Sequence, residues 1–164
     1  MCRKPGYKTG TVFLELLYLS ECLAPAELEA QRYLPPNCHR LLLDAQGQDR
    51  AAQIAHTELQ GLCLTGNKKL AATVIKSQSA KLKALYQQGE TFAKAASTEV
   101  VKQAIQTMQQ ELSAEQDRLQ ALAAINPNVR EDEIEQVTAR RELLEVYLRE
   151  TRVRLDAVRI VVMR

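Results

Sequence analysis

The sequence has no tryptophan, and aromatic residues make up only 4% of its 164 positions. Glycine and proline are also scarce, at six and five residues. All-β sandwiches need many turns, and collagen-like or disordered chains are rich in glycine and proline, so this composition excludes those classes. What remains is a helix-rich chain of one domain, long enough to bury a core.

Two further absences bear on where the protein works. The four cysteines (Cys2, Cys22, Cys38 and Cys63) contain no C-x-x-C pair, which indicates reduced thiols in a cytoplasmic protein. Basic residues precede the apolar run of residues 12–19, as in a signal peptide, but Glu15 in the middle of that run argues against export. No apolar stretch reaches the roughly 18 residues that span a bilayer, so no membrane partner is expected.

The first 49 residues predict the β-rich part of the fold. Three apolar runs, bounded by glycine or proline, are interpreted as strands: residues 11–22, 26–34 and 39–44. The first run also fits a short buried helix, and Pro25 could open a helix in the second. Three consecutive strands predict an antiparallel meander.

From Arg50 the pattern becomes helical. A short helix is expected over 50–66, followed by a long helix from about residue 68 to 124 because no proline interrupts it. Gly89 is the expected weak point of the long helix.

Apolar residues recur at heptad spacing on both sides of Asn126-Pro127-Asn128. One series runs from Val101 to Leu122 and the other from Ile134 to Leu155, with Glu115, Arg141 and Thr151 as polar exceptions. Asn128 with Glu131 three residues later predicts an N-cap box. Two such series joined by a tight turn indicate an antiparallel, coiled-coil-like hairpin of helices.

The β-branched run of residues 158–163 predicts a last strand that returns to the N-terminal sheet. The predicted fold class is therefore α+β: a small antiparallel sheet of three N-terminal strands and a C-terminal strand, with long helices. The expected division is a β-rich part (1–49), a short helix (50–66), a helical arm with its turn at 126–128 (67–153) and a return to the sheet (154–164), all in one domain.

No pattern of catalytic or metal-binding residues stands out. Residues 65–69 lack the first glycine and the Lys-Ser/Thr pair of a P-loop, and Cys38 and His39 are neighbours in a strand, so their side chains diverge. A zinc site from Cys38, His39, His56 and Cys63 would have unusual spacing, and packing roles are favoured. We predict no catalytic, cofactor-binding or metal residues in this chain.

The basic segment 67–98 is the candidate binding site, with six basic side chains and one acidic. Lys69, Lys76 and Lys83 recur every seven residues, so on an uninterrupted helix they lie within about 40° of one another. Such a stripe could follow the phosphates of a nucleic acid. The alternative is an ordinary solvated face, because no arginine is interleaved with these lysines and the nearest aromatic residue is Tyr86.

Several motifs, in this order, resemble the C-terminal region of the RapA family, the bacterial RNA polymerase-associated ATPases of the Swi/Snf helicase-like superfamily. The resemblance covers about residues 7–163. It rests on Tyr33-Leu34-Pro35-Pro36, Leu41-Leu42-Leu43-Asp44 with Gly47, Leu119-Gln120-Ala121-Leu122, Asn126-Pro127-Asn128-Val129-Arg130 and the ending Arg154-Leu155-Asp156-Ala157-Val158-Arg159-Ile160-Val161-Val162.

The resemblance implies a fragment of a longer, cytoplasmic, nucleoid-associated protein whose separate lobes bind ATP and magnesium and hydrolyse ATP. It also implies association with core RNA polymerase and with those ATPase lobes, promotion of polymerase recycling, and DNA or RNA nearby. We therefore expect a non-catalytic accessory or docking domain. The alternatives are a nucleic-acid-binding arm that uses the lysine stripe and a stand-alone coiled-coil adaptor.

Overall fold

A computed structural model describes residues 6–62, 68–126 and 128–163. In chain order its elements are β1 (Val12–Glu21), two 3-10 turns (Ala26–Leu28 and Ala30–Arg32), β2 (Asn37–Leu43), α1 (His56–Leu62), α2 (Lys68–Ala123), α3 (Glu131–Arg149) and β3 (Arg152–Val162). Cys2, Cys63, Pro127 and the expected helix end at 65–67 lie outside the described residues.

The sheet is antiparallel, and its strand order is β2-β1-β3. The C-terminal strand β3 pairs with β1. Two backbone hydrogen bonds of 2.8 Å extend this pairing beyond the strand ends: Gly10 N–H donates to the Met163 carbonyl, and Met163 N–H donates to the Thr11 carbonyl. The α+β class and the return of the last strand are thus confirmed. The meander is wrong, because β1 lies in the centre with the last strand at its side.

The expected second strand, over residues 26–34, is also wrong. These residues form the two 3-10 turns, and Glu29 between them has a left-handed backbone with φ of 52°. Ala30 and Leu34 are both buried, and Leu34 N–H donates to the Ala30 carbonyl at 2.9 Å. An apolar spacing of four belongs to a helical turn, whereas a strand would bury alternate residues.

The chain folds into two compact units. The first unit comprises residues up to Leu19, Cys38–Ala95 and the chain from Arg154 onward. The second unit comprises Ser20–Asn37 and Ala96–Val153. The predicted division of the chain into a β-rich part, short helix, arm and return strand stays a prediction.

In the first unit, both faces of β1 are covered. Phe13 belongs to a cluster that joins β1 to β2, β3 and α1, with Leu42, Ile54, Leu59, Val161 and Met163. On the other face α2 comes so close that a Cβ added at Gly89 would lie 2.3 Å from Leu16 Cδ1. The absence of a side chain at Gly89 therefore allows α2 to pack closely against Leu16 of β1.

The irregularity in α2 falls at Gln78 (φ −122°, ψ 18°), so the expectation that Gly89 is the weak point is wrong. The Ser77 hydroxyl donates to the Val74 carbonyl at 3.1 Å just before the break. Such a bond competes with the helical backbone bonds and is a physical reason for the irregularity.

In the second unit, the 3-10 turns pack with α2 and α3 around one core. Its buried members are Ala30, Leu34, Ala104, Ile105, Met108, Leu112, Leu144 and Leu148. The Gln109 amide donates to Glu145 at 2.9 Å, and Arg141 donates to Ser113 at 3.1 Å. These contacts advance along α2 as they recede along α3, which is the antiparallel order. Coiled-coil packing of the two helices stays a prediction.

The ends of the shorter helices differ from expectation. The N-cap of α3 is Arg130, and no side chain caps it, so the Asn128 cap box is wrong. Three acidic residues in the first turn, from Glu131 to Glu133, stabilise this end electrostatically. The described part of α1 begins at His56 rather than at Arg50, because the carboxylate of Asp49 binds the amides of Leu42 and Ala51 and ties the preceding turn to β2.

Candidate functional site

The three lysines of the predicted stripe are all exposed on α2. Lys69 and Lys76 lie on the same side of the irregular residue Gln78, so their seven-residue spacing keeps them on one face. Gln78 lies between these two lysines and Lys83. The prediction that all three lysines lie on one face assumed an uninterrupted helix, and α2 is interrupted at Gln78. The structure therefore brings two of the three lysines onto one helical face.

The most organised charged group in the first unit surrounds Glu15. Its side chain is only 1% exposed, in the central strand of the sheet. Arg40 Nε on β2 donates to Glu15 Oε1 at 2.6 Å, and Arg159 Nε on β3 donates to Oε2 at 2.5 Å. His56 Nδ1, at the start of α1, lies 3.1 Å from Oε1. One buried carboxylate thus links all three strands and a helix.

The electrostatics of Glu15 follow from these partners. Burial by itself raises the pKa of the carboxyl, but the hydrogen bonds from Arg40, His56 and Arg159 outweigh burial, so the net pKa is lowered. Arg40 Nη1 also donates to the Ile54 carbonyl at 2.7 Å and to the Ala51 carbonyl at 3.2 Å. The group holds the sheet and the segment before α1 together.

A second carboxylate organises the turn after β2. Asp44 Oδ1 accepts the backbone amides of Gln46 and Gln48 at 2.9 Å, and Oδ2 accepts Arg50 Nε at 2.8 Å. Burial opposes ionisation, yet these hydrogen bonds lower the pKa of Asp44. Gly47 in this turn has φ of 79°, which a glycine adopts without strain. Asp44 therefore has a structural role.

The cysteines and histidines considered as catalytic or metal-binding do not converge among the described residues. Cys38 is exposed on β2, and burial lowers the pKa of the neighbouring His39. His56 contacts Glu15 instead of a thiol. No group of three or more His, Cys, Asp or Glu side chains in the described ranges could hold a metal ion. Cys63 lies outside those ranges.

A pocket of about 300 Å³ lies along the 3-10 segment of the second unit. It is lined by Cys22, Ala24, Pro25, Ala26, Glu29, Ala30, Gln31 and Arg32. The Cys22 thiol donates to the Tyr147 carbonyl at 3.3 Å, and burial raises its pKa, which disfavours the reactive thiolate. Arg32 and Glu29 are paired with Glu111 and Arg140, so the pocket's charged residues are already engaged.

The group around Glu15 was not predicted, although the sequence contains one signal for it. A single glutamate in the apolar run 12–19 is costly to bury unless it is paired, so it calls for cationic partners elsewhere. The sequence does not say which of its 22 lysines and arginines those partners are, because Arg159 is 144 positions away from Glu15.

The fold and the site define a protein of the α+β class with an exposed basic helical segment, in which the organised carboxylates hold the fold together. A family model described as RNA polymerase recycling family C-terminal (RapA_C) matches residues 1–163. The chain belongs to this family, whose name points to association with RNA polymerase. Among the described helices, none combines the length and the hydropathy that a membrane-spanning segment needs.

Proposed function

We propose that this chain is a non-catalytic accessory domain that docks a larger ATP-dependent transcription regulator onto core RNA polymerase and so promotes polymerase recycling. The match of residues 1–163 to the C-terminal family carries the proposal. ATP and magnesium would belong to other lobes of the parent chain, with which this domain also makes contact. The proposed location is the bacterial cytoplasm, in association with the nucleoid.

The chemistry of the described residues supports a role without catalysis. Nucleophilic catalysis needs a nucleophile and a base within hydrogen-bond reach of each other. Cys38 and His39 are adjacent in β2, where successive side chains point to opposite faces. Glu15 and Asp44, the two carboxylates of the first unit with lowered pKa values, are held by structural partners. These two carboxylates stabilise the fold.

The test is direct binding of the purified chain to core RNA polymerase, with a 30-base-pair duplex as a parallel ligand. Both titrations run from about 0.05 to 0.2 M salt, because contacts with phosphates weaken steeply over that range. We expect polymerase binding that persists at the higher salt concentration. Absence of polymerase binding at every salt concentration would contradict the proposed function.

A second candidate function is nucleic-acid binding through Lys69, Lys76 and Lys83. The observation that favours it is the exposure of all three on α2, in a segment whose first acidic residue is Glu90. If each lysine contacts one phosphate, neutralising all three to glutamine should reduce the salt slope by about 3. The control is Lys102→Gln, an exposed lysine elsewhere on α2. An equal slope in the triple variant and the wild type would remove this candidate.

A further inference from the structure

The solvent-facing side of α3 carries large apolar side chains. Leu143 and Val146 are 50% and 52% exposed, and they lie three residues apart on one side of the helix. Ala139 and Glu142 are exposed on the same side, as are Glu135, seven residues before Glu142, and Glu150 at the C-cap. We call these six residues the α3 outer face.

The α3 outer face belongs to a firmly packed helix. Leu144 and Leu148, on the opposite side of α3, are both 0% exposed in the core of the second unit. The exposed apolar residues are therefore held in place by the packing behind them. A preorganised apolar surface loses less conformational entropy when it binds a partner.

The three arginines of α3 are engaged elsewhere. Arg140 pairs with Glu29 at 2.8 Å, Arg141 donates to Ser113 and Gln116, and Arg149 pairs with Glu145. That pairing, with the hydrogen bond from Gln109, lowers the pKa of Glu145. The α3 outer face therefore keeps the negative charge of its own glutamates.

The glutamates of this face are unpaired. Among the described residues, Glu135, Glu142 and Glu150 make no ion pair or side-chain hydrogen bond. Glu150 is the C-cap of α3, where the helix dipole disfavours a negative charge. All three carboxylates lack a partner within the described part of the chain, so they are available to an external cation.

We propose that the α3 outer face docks a protein surface of RNA polymerase that presents lysine or arginine around an apolar recess. The inference rests on the proposed function and identifies the surface that performs it. Three unpaired carboxylates repel the phosphates of nucleic acids and the headgroups of anionic lipids. A two-fold contact between two copies of this face would set glutamates against glutamates, so charge favours a basic partner instead.

The experiment compares variants of the whole chain for binding to purified core RNA polymerase. Leu143→Gln with Val146→Gln removes the apolar part of the face and retains helix-forming side chains. Glu135→Lys with Glu142→Lys reverses its charge. Ile75→Gln is the matched control, because Ile75 is 46% exposed on α2. Circular dichroism and thermal unfolding establish that every variant is folded.

We expect the apolar double variant to weaken polymerase binding at least tenfold, as loss of a central apolar contact does in protein interfaces. The charge reversal should weaken binding at least fivefold at 0.05 M salt and less at 0.2 M, because salt screens the attraction. The control should stay within twofold of the wild type. A photo-crosslinker at position 143 should label polymerase peptides that contain lysine or arginine.

Other outcomes separate this inference from the proposed function. If the wild type binds polymerase and both double variants bind equally well, the face assignment is overturned and the docking function stands. If the wild type does not bind polymerase, both fall. If the apolar variant changes only self-association, measured by sedimentation, the face is a contact between copies of this chain and the inference is likewise overturned.

Discussion

At the residue scale, the single carboxylate of Glu15 accepts hydrogen bonds from an arginine on each of the two neighbouring strands and lies within hydrogen-bond distance of His56 on α1. Arg40 and Arg159 are 17% and 35% exposed, so their charges are partly removed from water. Burying a charge is costly unless an opposite charge lies beside it. Glu15 therefore compensates the charges of Arg40 and Arg159, and the two arginines compensate the buried charge of Glu15.

Replacing Glu15 with glutamine should destabilise the protein by about 3–5 kcal/mol, because two arginines then lose their counter-charge in a partly buried site. Urea unfolding measures the loss. Glu115→Gln is the control, since Glu115 pairs with Arg118 on the surface of α2 and its removal should leave the midpoint unchanged. Equal midpoints for Glu15→Gln and the wild type would contradict the structural role of this group.

The lowered pKa values of Glu15 and Asp44 predict how stability depends on pH. The ordinary values are 4.5 and 3.8, and in the folded protein both carboxyls lose their protons more readily than this. Their contribution to stability is thus complete above about pH 5, and it is lost as acid protonates the folded carboxyls. The urea concentration at the midpoint of unfolding should therefore decrease as the pH is lowered from 5 to 3. In Asp44→Asn this fall should be smaller, and an identical pH profile in that variant would contradict the assignment to Asp44.

Gly89 and Gly61 form a matched pair of helical glycines. Alanine normally stabilises a helix by about 1 kcal/mol relative to glycine. Gly61→Ala should give that gain, because an added Cβ meets nothing within 4 Å. Gly89→Ala should instead destabilise by about 1–3 kcal/mol, since its Cβ would lie 2.3 Å from the fully buried Leu16 side chain. Thermal unfolding of both variants measures the difference, and a gain in both would refute the close approach of α2 to the sheet.

At the scale of elements, α3 shows how helical periodicity separates a core residue from its neighbour. Leu144 is 0% exposed, whereas Leu143 is 50% exposed. Leu144→Ala should cost about 2–5 kcal/mol because it opens a cavity in the core of the second unit. Leu143→Ala should change the free energy of unfolding by less than about 0.5 kcal/mol. Chemical denaturation of the two variants checks this, and similar losses would show that the helix is rotated.

Helices and strands were predictable where a long segment carries one consistent sequence signal. The α2 helix over Lys68–Ala123 follows from a long stretch without proline, and β3 follows from its β-branched run. The segment 26–34 was assigned wrongly because Pro25 and the double proline at 35–36 suggested an extended chain, while the local turn at Glu29 has no strong sequence signal. Short segments are decided by tertiary contacts, here the burial of Ala30 and Leu34.

The candidate binding site was predictable in composition and only partly in geometry. Lys69, Lys76 and Lys83 are on a helix and exposed, as their sequence context indicates. The irregular backbone at Gln78 was not predicted, because neither the heptad spacing of the lysines nor the absence of proline gives a signal for it. The role of these lysines in nucleic-acid binding stays a prediction.

At the scale of the whole molecule, the C-terminal strand completes a sheet that begins near the N-terminus. A chain ending at residue 151 would lack β3, and with it Arg159 and the buried Val161. Two strands alone are marginal in water. We expect this truncation to abolish amide-exchange protection in β1, whereas the exposed substitution Val158→Thr should preserve it. Retained protection in the truncated chain would show that β3 is dispensable.

The α+β class, the long helices and the final strand could be predicted from the amino-acid order alone, because these depend on local periodicity and on the absence of proline. The sequence also contained the family's motifs, in an order that fits the match over residues 1–163. The central place of β1, the partners of Glu15 and the close approach at Gly89 became visible only in the folded chain. Those features join residues far apart along the chain, and the choice among many possible partners is made by packing and charge pairing in three dimensions.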